Sequence, residues 1–232
     1  MKITYLDHSG FAVDLGDKLL IFDYYRGELP AGTSDRKLYV FSSHAHYDHF
    51  QKKIFTWSRD RDVTYILSKD IRKNAAAKNA PGEGVYYLAP RQELTLDGLS
   101  VRTLRSTDAG VAFLVETEGK TIYHAGDLNW WHWEEESRVY NEMMKRNYRY
   151  EIGKIEGQAI DVAFVPLDPR QEEQYYWGMD YFMKHTDTKV VFPMHMWGHY
   201  EVWEQLMENP EASSYRDKVM RITKAPQEFE IG

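Results

Sequence analysis

The sequence predicts an α/β (α+β) fold in which layered β-sheets carry helices on their outer faces. Two observations support this prediction. The first half of the 232-residue chain is rich in short apolar runs separated by turn signals, and the second half alternates helical stretches with apolar strands. Apolar residues make up 43% and charged residues 28% of the chain, with no repeat or low-complexity tract to divide it. We therefore expect one domain spanning residues 1–232.

The strands of the first half are short and end at glycine or aspartate turns. Ser9-Gly10 and Gly16-Asp17 separate the first three runs, and Asp97-Gly98 and Gly119-Lys120 lie where hairpin turns are expected. We predict strands over residues 3–6, 11–15, 18–22, 38–42, 63–67, 85–88, 93–96, 99–104, 111–116 and 121–124, and a helix that begins near residue 50.

Longer elements follow in the second half. Residues 133–155 contain no proline and predict a helix or a helix pair, while 171–185 and 200–207 predict further helices. Buried strands are expected over residues 161–167 and 189–193, and closing strands over 219–222 and 229–231.

The stretch SSHAHYDHF, residues 42–50, is the strongest chemical signal in the chain. His44 and His46 lie two positions apart, so in an extended segment their side chains project to the same side. Asp48 and His49 follow where the strand should turn into a loop. Imidazole and carboxylate together suit zinc, iron, manganese and similar ions. A metal site is therefore predicted here.

Two later strands end in further ligand types. In residues 121–127, TIYHAGD, Asp127 follows an apolar run and a glycine, and residues 190–195, VVFPMH, end in His195. Either residue alone would be a turn aspartate or a core histidine. Following SSHAHYDHF in this order, both are expected to complete the metal site, because sites are built where strands end and loops gather.

These three motifs resemble the metallo-β-lactamase superfamily, whose signature His-x-His-x-Asp-His is matched in full by residues 44–49. The opening YLDHSGFAVDLGDKLLIFD, residues 5–23, is similar to the branch that includes ascorbate-6-phosphate lactonases and related metal-dependent hydrolases. The resemblance implies a four-layer αββα sandwich of two mixed β-sheets flanked by helices.

The resemblance also implies how the ligands are shared. One metal would be held by Asp48, His49, Asp127 and His195, and the other by His44, His46, a shared Asp127 and one more histidine. That histidine is absent, because residues 104–110 read LRSTDAG. Asp108 is either its replacement or a cap of the turn before Gly110, with the Thr107 hydroxyl as a weaker substitute. One or two divalent ions are expected, with zinc first and manganese or iron as alternatives.

The chemistry that such a site supports is hydrolysis. A metal with an open position lowers the pKa of bound water from about 15.7 to about 7, which makes hydroxide available at neutral pH. We expect this metal-bound hydroxide to attack an ester, lactone or phosphodiester of a small polar substrate, with Asp48 orienting it or accepting its proton. The alternative is a non-catalytic metal- or ligand-binding protein of the same fold, which the absent histidine suggests.

Several residues near the motifs have two interpretations. His8 and Asp23 match residues that lie near the site in the similar branch and are expected to support it rather than to bind metal. Trp130 and its neighbours Trp131 and Trp133 either line a substrate pocket or anchor the next helix. His199 either contacts substrate or caps a helix. Asp168 either supports a histidine ligand or starts a turn.

Composition excludes other classes. The chain has no cysteine, so disulfides, thiolate sites and a cysteine nucleophile are excluded. Its net charge of −7 disfavours nucleic acid as a partner, and with it a nuclease of the same superfamily. No apolar stretch approaches the length of a membrane span, and no signal-peptide pattern is seen. A cytoplasmic protein with a small-molecule substrate is expected, with homo-oligomerisation left open.

Overall fold

The computed structural model describes residues Met1 to Gly232 and contains thirteen β-strands and three α-helices. The strands are β1 (Lys2–Asp7), β2 (Gly10–Asp14), β3 (Lys18–Phe22), β4 (Lys37–Ser42), β5 (Val63–Ser68), β6 (Val85–Leu88), β7 (Glu93–Leu96), β8 (Leu99–Arg105), β9 (Val111–Thr117), β10 (Lys120–His124), β11 (Ala159–Pro166), β12 (Asp187–Met194) and β13 (Gln227–Glu230). The helices are α1 (Arg138–Ile152), α2 (Trp177–His185) and α3 (Val202–Glu208). None of them is long and apolar enough to cross a membrane.

The strands form two mixed sheets. One has the order β13-β1-β2-β3-β4-β5-β6, with antiparallel pairs from β13 to β3 and parallel pairs from β3 to β6. The other has the order β12-β11-β10-β9-β8-β7, parallel from β12 to β10 and antiparallel from there to β7. The predicted fold class, with two mixed sheets, is confirmed.

Aromatic rings join the two sheets face to face. Phe11 on β2 stacks on Phe164 of β11 with ring centroids 4.2 Å apart, and Phe22 on β3 stacks on His124 of β10 at 5.2 Å. Such pairs contribute about 0.5–1.5 kcal/mol each beyond the burial of their apolar area. The larger core cluster lies between the sheets and extends to apolar residues of α1 and α2.

The outer face of the seven-stranded sheet is covered by 3-10 turns rather than by α-helices. The turns at Lys52–Arg59, Lys69–Lys73 and Ala75–Asn79 bury a smaller cluster that includes Ile54, Phe55 and Ile71. The helix predicted near residue 50 is therefore a 3-10 turn. Segments of this length are too short to stabilise an α-helix by hydrogen bonding alone, so packing decides their conformation.

Three further elements differ from the prediction by more than two residues. α1 begins at Arg138 rather than at residue 133, because the Ser137 side chain caps it by accepting a hydrogen bond from the Tyr140 amide at 3.2 Å. α2 begins only at Trp177, because Glu172, with a φ of 51°, kinks the preceding 3-10 segment Pro169–Gln174. The strand predicted over residues 219–222 is reduced to a single bridge between Val219 and Val191.

The topology brings the ends of six strands to one edge of the sandwich. β1, β3 and β4 run in the same direction in one sheet, and β10, β11 and β12 do so in the other. The residues that follow these six strands are His8, Asp23, His44, Asp127, Asp168 and His195. The sandwich therefore gathers its chemically active side chains where the two sheets meet at this edge.

Candidate metal centre

Two groups of donor atoms lie at this edge. The first consists of His44, His46 and Asp127, and the second of His8, Asp48, His49 and His195; within each group the donor atoms all lie within 4.8 Å of one another. We call them the three-donor group and the His8 group. All seven side chains are buried except that of His46, which is 57% exposed.

Asp127 joins the two groups. Its Oδ2 lies 3.3 Å from Nε2 of His44, while its Oδ1 lies 3.2 Å from Nε2 of His49 and 2.9 Å from Nε2 of His195. The two carboxylate oxygens thus face different groups. This is the arrangement that a carboxylate shared between two metal ions requires.

Two glycines allow the loops to approach this closely. Gly110 has a φ of 68°, and a Cβ there would lie 1.9 Å from the carbonyl oxygen of Ser43. Gly126, with a φ of 52°, would place a Cβ 2.6 Å from the Ser43 Cβ. Both conformations are ones that L side chains rarely adopt. The loop that carries His44 therefore lies against two loops, that of residues 106–110 and the one that carries Asp127, and neither glycine can be replaced without displacement.

His44, His49 and Asp127 have the protonation states that a metal needs. Burial lowers the pKa of His44 to about 4 and that of His49 to about 4, so both imidazoles are neutral at neutral pH and offer a lone pair. Burial opposes ionisation of Asp127, but His49 and His195 outweigh it and hold its pKa well below the usual range. Three of these donor atoms, Nε2 of His8, Nε2 of His44 and Oδ1 of Asp127, are buried without a hydrogen-bond partner of good geometry. Unsatisfied buried donors and acceptors are costly, so the set fits a divalent metal ion.

The surroundings of His195 also favour a positive charge. Burial works against a charged imidazole, but the carboxylates of Asp127 and Asp168 outweigh it and raise the pKa of His195 to about 10. A proton on Nε2 and a metal ion would occupy the same position between His195 and Asp127. The carboxylates therefore require a cation there, and metal binding would release the proton.

Carboxylates behind the ligands orient the imidazoles. Nδ1 of His49 lies 2.7 Å from Oδ2 of Asp23, whose oxygens also accept hydrogen bonds from the amide and hydroxyl of Ser43 at 2.7 and 2.6 Å. Nδ1 of His195 lies 3.2 Å from Oδ2 of Asp168. With Nδ1 donating to a carboxylate, Nε2 is left free for a metal. Asp23 therefore lies behind His49. Asp168 makes both contacts that the sequence leaves open, because it contacts His195 and also caps the turn at Pro169 by accepting from the Arg170 amide at 3.0 Å.

The loop of the absent histidine offers no close substitute. The Thr107 hydroxyl donates to the carbonyl oxygen of Asn129 at 2.7 Å and accepts from its amide at 3.1 Å, so it holds the Asp127 loop in place. Asp108 is 51% exposed, and its Oδ2 lies 3.9 Å from Nδ1 of His46. The structure does not bring Asp108 into the three-donor group.

Of the aromatic residues after Asp127, Trp131 rather than Trp130 faces the centre. Its ring centroid lies 5.7 Å from that of His195, and its Nε1–H donates to the Asp127 carbonyl oxygen at 3.0 Å. Trp130 instead packs on Trp177 at 5.3 Å and lines a separate cavity of about 570 Å³ beside α1 and α2. The sequence does not distinguish the two indoles, because their orientation depends on which way the irregular loop turns.

The loop between β12 and α3 supplies one further side of the centre. Trp197 lies 4.3 Å from His8 between ring centroids, whereas His199 is 63% exposed and pairs with Glu201 at 3.0 Å. The structure therefore places His199 in solvent rather than beside the donors. Arg170, which sequence reasoning missed, holds Asp168 through both carboxylate oxygens and lies 4.6 Å from the Trp197 ring centroid.

Comparisons with known proteins bear on the family and the fold of the chain. Residues 2–138 match the model of the beta-lactamase superfamily domain. A UPF0173 metal-dependent hydrolase of Opitutus terrae is 32% identical over 72% of this chain and 72% of its own length, and one of Symbiobacterium thermophilum is 30% identical over 98% and 95%. The solved structure of Igni18, a metallo hydrolase of Ignicoccus hospitalis, covers 100% of both chains with a TM-score of 0.65 and 18% identity, a likeness of fold.

Proposed function

The chain belongs to the beta-lactamase superfamily and, within it, to the UPF0173 metal-dependent hydrolases, and on that premise we propose that it hydrolyses an ester, lactone or phosphodiester bond of a small polar substrate. One observation carries the proposal. The carboxylate of Asp127 divides its oxygens between the three-donor group and the His8 group, at distances of 2.9 to 3.3 Å. Such a shared carboxylate serves two-metal hydrolysis of carbonyl and phosphoryl bonds.

Asp48 is proposed as the catalytic carboxylate. A divalent metal, when bound, supplies Lewis acidity that lowers the pKa of water and polarises the oxygen of the bond to be cleaved. Burial opposes ionisation of Asp48, but the adjacent imidazoles of His8 and His49 outweigh it and hold its pKa below the usual range. An ionised oxygen is therefore available at neutral pH to orient the attacking water and to accept its proton.

The rim of the centre favours a substrate with a negative charge. The side chain of Arg170 is 48% exposed, and its guanidinium carbon lies 5.7 Å from the ring centroid of Trp133 and 4.6 Å from that of Trp197. The carboxylates of Asp127 and Asp48 interact electrostatically with this guanidinium. Arg170 binds Asp168 through Nε and Nη2, which leaves Nη1 to contact a carboxylate or phosphate. Indole rings stack on flat or apolar groups. The substrate proposed is a small anion with a hydrolysable ester, lactone or phosphodiester bond.

Zinc is the proposed metal, with manganese and iron as alternatives. Imidazole and carboxylate donors without thiolate suit all three ions, so the donor set alone does not choose among them.

The second candidate function, a metal- or ligand-binding protein without catalysis, is favoured by one observation: the group of His44, His46 and Asp127 has three donors only. A cytoplasmic location, a single domain and a homo-oligomer stay predictions.

The proposed function is tested on gently purified protein. We expect elemental analysis to find at least one divalent metal per chain. We expect turnover of at least one of a p-nitrophenyl ester, a lactone and bis(p-nitrophenyl) phosphate, abolished by chelation and by Asp48→Asn. The control is Asp62→Asn, because the Asp62 side chain is 72% exposed and forms an ion pair with Lys37, away from the donors. Bound metal without turnover of any class would select the non-catalytic candidate. Absence of metal would remove the hydrolase and the metal-binding form of the second candidate.

The variant Asp108→Ala tests whether Asp108 replaces the absent histidine as a metal ligand. Because Asp108 is half exposed and lies outside the three-donor group, we expect the number of bound metals per chain to stay the same. The measurement is elemental analysis after equilibration with excess zinc. A loss of one metal per chain would make Asp108 the substitute ligand that the sequence leaves open.

A further inference from the structure

His8 lies among the donors of the His8 group, 36 positions before the His-x-His-x-Asp-His signature begins. It is 3% exposed, and its Nε2 lies 3.2 Å from Oδ2 of Asp48. That contact does not have hydrogen-bond geometry, and Nε2 is left buried without a partner. Its ring centroid lies 4.2 Å from that of His195 and 5.5 Å from that of His49. A buried imidazole nitrogen in this position needs a partner that the protein does not provide.

The separations between donors match those around a single ion. Donors bound at about 2.0–2.1 Å lie about 3.0 Å apart at right angles and about 3.4 Å apart in a tetrahedron. The observed separations are 3.2 Å from His8 Nε2 to Asp48 Oδ2, 3.1 Å from His49 Nε2 to His195 Nε2 and 2.9 Å from His195 Nε2 to Asp127 Oδ1. His8 is therefore spaced as a fellow ligand is spaced.

The backbone holds His8 in this position against its preference. His8 has a φ of 54°, and it follows an irregularity in the pairing of β1 with β2 between Tyr5 and Asp7. Trp197, with a φ of 55°, packs against the His8 ring. Positive φ at a non-glycine residue is costly and persists where the surrounding structure enforces it, often at functional sites. If this turn only connected β1 to β2, a residue that adopts positive φ at lower cost would be sufficient. The strained histidine therefore points to a role for its imidazole.

We propose that His8 is a metal ligand, so that one ion is held by His8, Asp48, His49 and His195 together with Oδ1 of Asp127. The inference rests on the proposed metal dependence and extends it. The four donors of the His8 group and the shared Oδ1 of Asp127 then make five, so this position fills first, while the three-donor group fills second. The chain lacks a histidine on one side of its centre and has an additional one on the other.

The competing role for His8 is support of Asp48 without metal contact. Loss of a supporting residue also weakens metal binding, by about 10–100-fold, so affinity alone does not separate the two roles. The number of imidazoles bound to the first ion does separate them. It is three if His8 binds, and two if the ion is held by His49 and His195 alone or by His44 and His46.

The experiment is X-ray absorption spectroscopy of the apo-protein loaded with one equivalent of zinc, combined with a chelator-competition titration. We expect three bound imidazoles in the wild type and two in His8→Asn, with zinc affinity lowered at least about tenfold. Asparagine is chosen because it tolerates positive φ. The control, His46→Asn, removes a ligand from the other group, so it should leave both the imidazole count and the affinity for the first zinc unchanged.

Two imidazoles in the wild type, or the same count in the wild type and His8→Asn, would overturn the inference and leave metal dependence intact. If His8→Asn does not fold, as judged by circular dichroism, the wild-type count decides alone. Failure of the wild type to take up zinc, manganese or iron would instead remove the proposed function itself.

Discussion

At the scale of single residues, the carboxylates behind the centre decide which nitrogen each imidazole presents. Asp168 is fully buried, accepts from Nδ1 of His195 and is itself held by the guanidinium of Arg170. Asp23 serves His49 in the same way, at a shorter distance of 2.7 Å. These residues contact no substrate, yet they fix the tautomer and ring orientation on which metal affinity depends.

Asp168→Asn should therefore weaken metal binding without unfolding the protein. An amide is a poorer acceptor than a carboxylate and does not hold His195 in one tautomer, so we expect zinc affinity to fall about 10–100-fold. The measurement is chelator competition, with circular dichroism to establish the fold. Asp161→Asn is the matched control, because Asp161 lies at the far end of β11 and pairs with Lys189. Equal zinc affinity in the wild type and Asp168→Asn would show that Asp168 binds Arg170 and does not orient His195.

At the scale of elements, the site depends on how closely two loops approach. Gly126, after β10, and Gly119, before it, both have positive φ, but only a Cβ at Gly126 would collide with the Ser43 side chain. An alanine at Gly119 costs the backbone penalty alone, about 1–2 kcal/mol. An alanine at Gly126 adds displacement of the loop that carries His44.

Gly126→Ala should therefore lower both the unfolding free energy and the metal content by more than Gly119→Ala does. The measurements are urea unfolding of the apo-protein and elemental analysis after zinc loading. We expect Gly119→Ala to keep the full metal content and Gly126→Ala to lose at least one ion per chain. Similar results for both variants would mean that the loops yield and that the close approach is not required.

Helix α1 is tied to the sheet edge by a buried carboxylate. Oε1 of Glu151 accepts from Arg91 at 3.2 Å and from Lys154 at 2.8 Å, and Oε2 accepts from the amide of Arg105 at 3.1 Å. Burial opposes the charge, but Arg91, Lys154 and the Arg105 amide outweigh it and lower the pKa of Glu151. Glu151 thereby anchors the end of β8, from which the loop of residues 106–110 leaves.

Glu151→Gln should destabilise the protein at pH 7 by about 1–3 kcal/mol, because charged hydrogen bonds are lost. A carboxyl with a lowered folded-state pKa contributes stability above its unfolded pKa of about 4.3, and this contribution is lost as pH falls through the folded value. The difference between wild type and variant should therefore shrink below about pH 4.3. Urea unfolding across pH tests this, with the exposed Glu142→Gln as control. A difference that does not depend on pH would indicate a packing defect.

At the scale of the whole molecule, the strands and the metal motifs were predictable, and the arrangement of loops was not. Short apolar runs bounded by turn residues locate the strands, because most of these strands are buried on both faces. The donors of residues 44–49 lie on one local segment, so their role can be inferred from spacing. His8 reaches them only through the pairing of β1 with β2 and the packing of Trp197, which no local pattern encodes. The orientation of Trp130 and Trp131 likewise depends on tertiary contacts.

The centre also joins the two halves of the sandwich. His8, His44 and His49 follow strands of the seven-stranded sheet, whereas Asp127 and His195 follow strands of the six-stranded sheet. A bound ion would therefore link the sheets at one edge, and it would neutralise carboxylates that lie within one cluster. The unfolded chain has no such preformed site, so the free energy of metal binding is added to the stability of the fold.

Removal of metal should accordingly lower the melting temperature. Zinc at about 100 times its Kd stabilises the folded state by about 2.7 kcal/mol, which corresponds to about 5–10 °C for a chain of this size. We expect differential scanning calorimetry to show this loss with excess chelator and its recovery with added zinc. His8→Asn should show a smaller shift, because its first ion is bound more weakly. An unchanged melting temperature in the presence of a confirmed bound ion would mean that the unfolded chain binds zinc as tightly as the folded protein does.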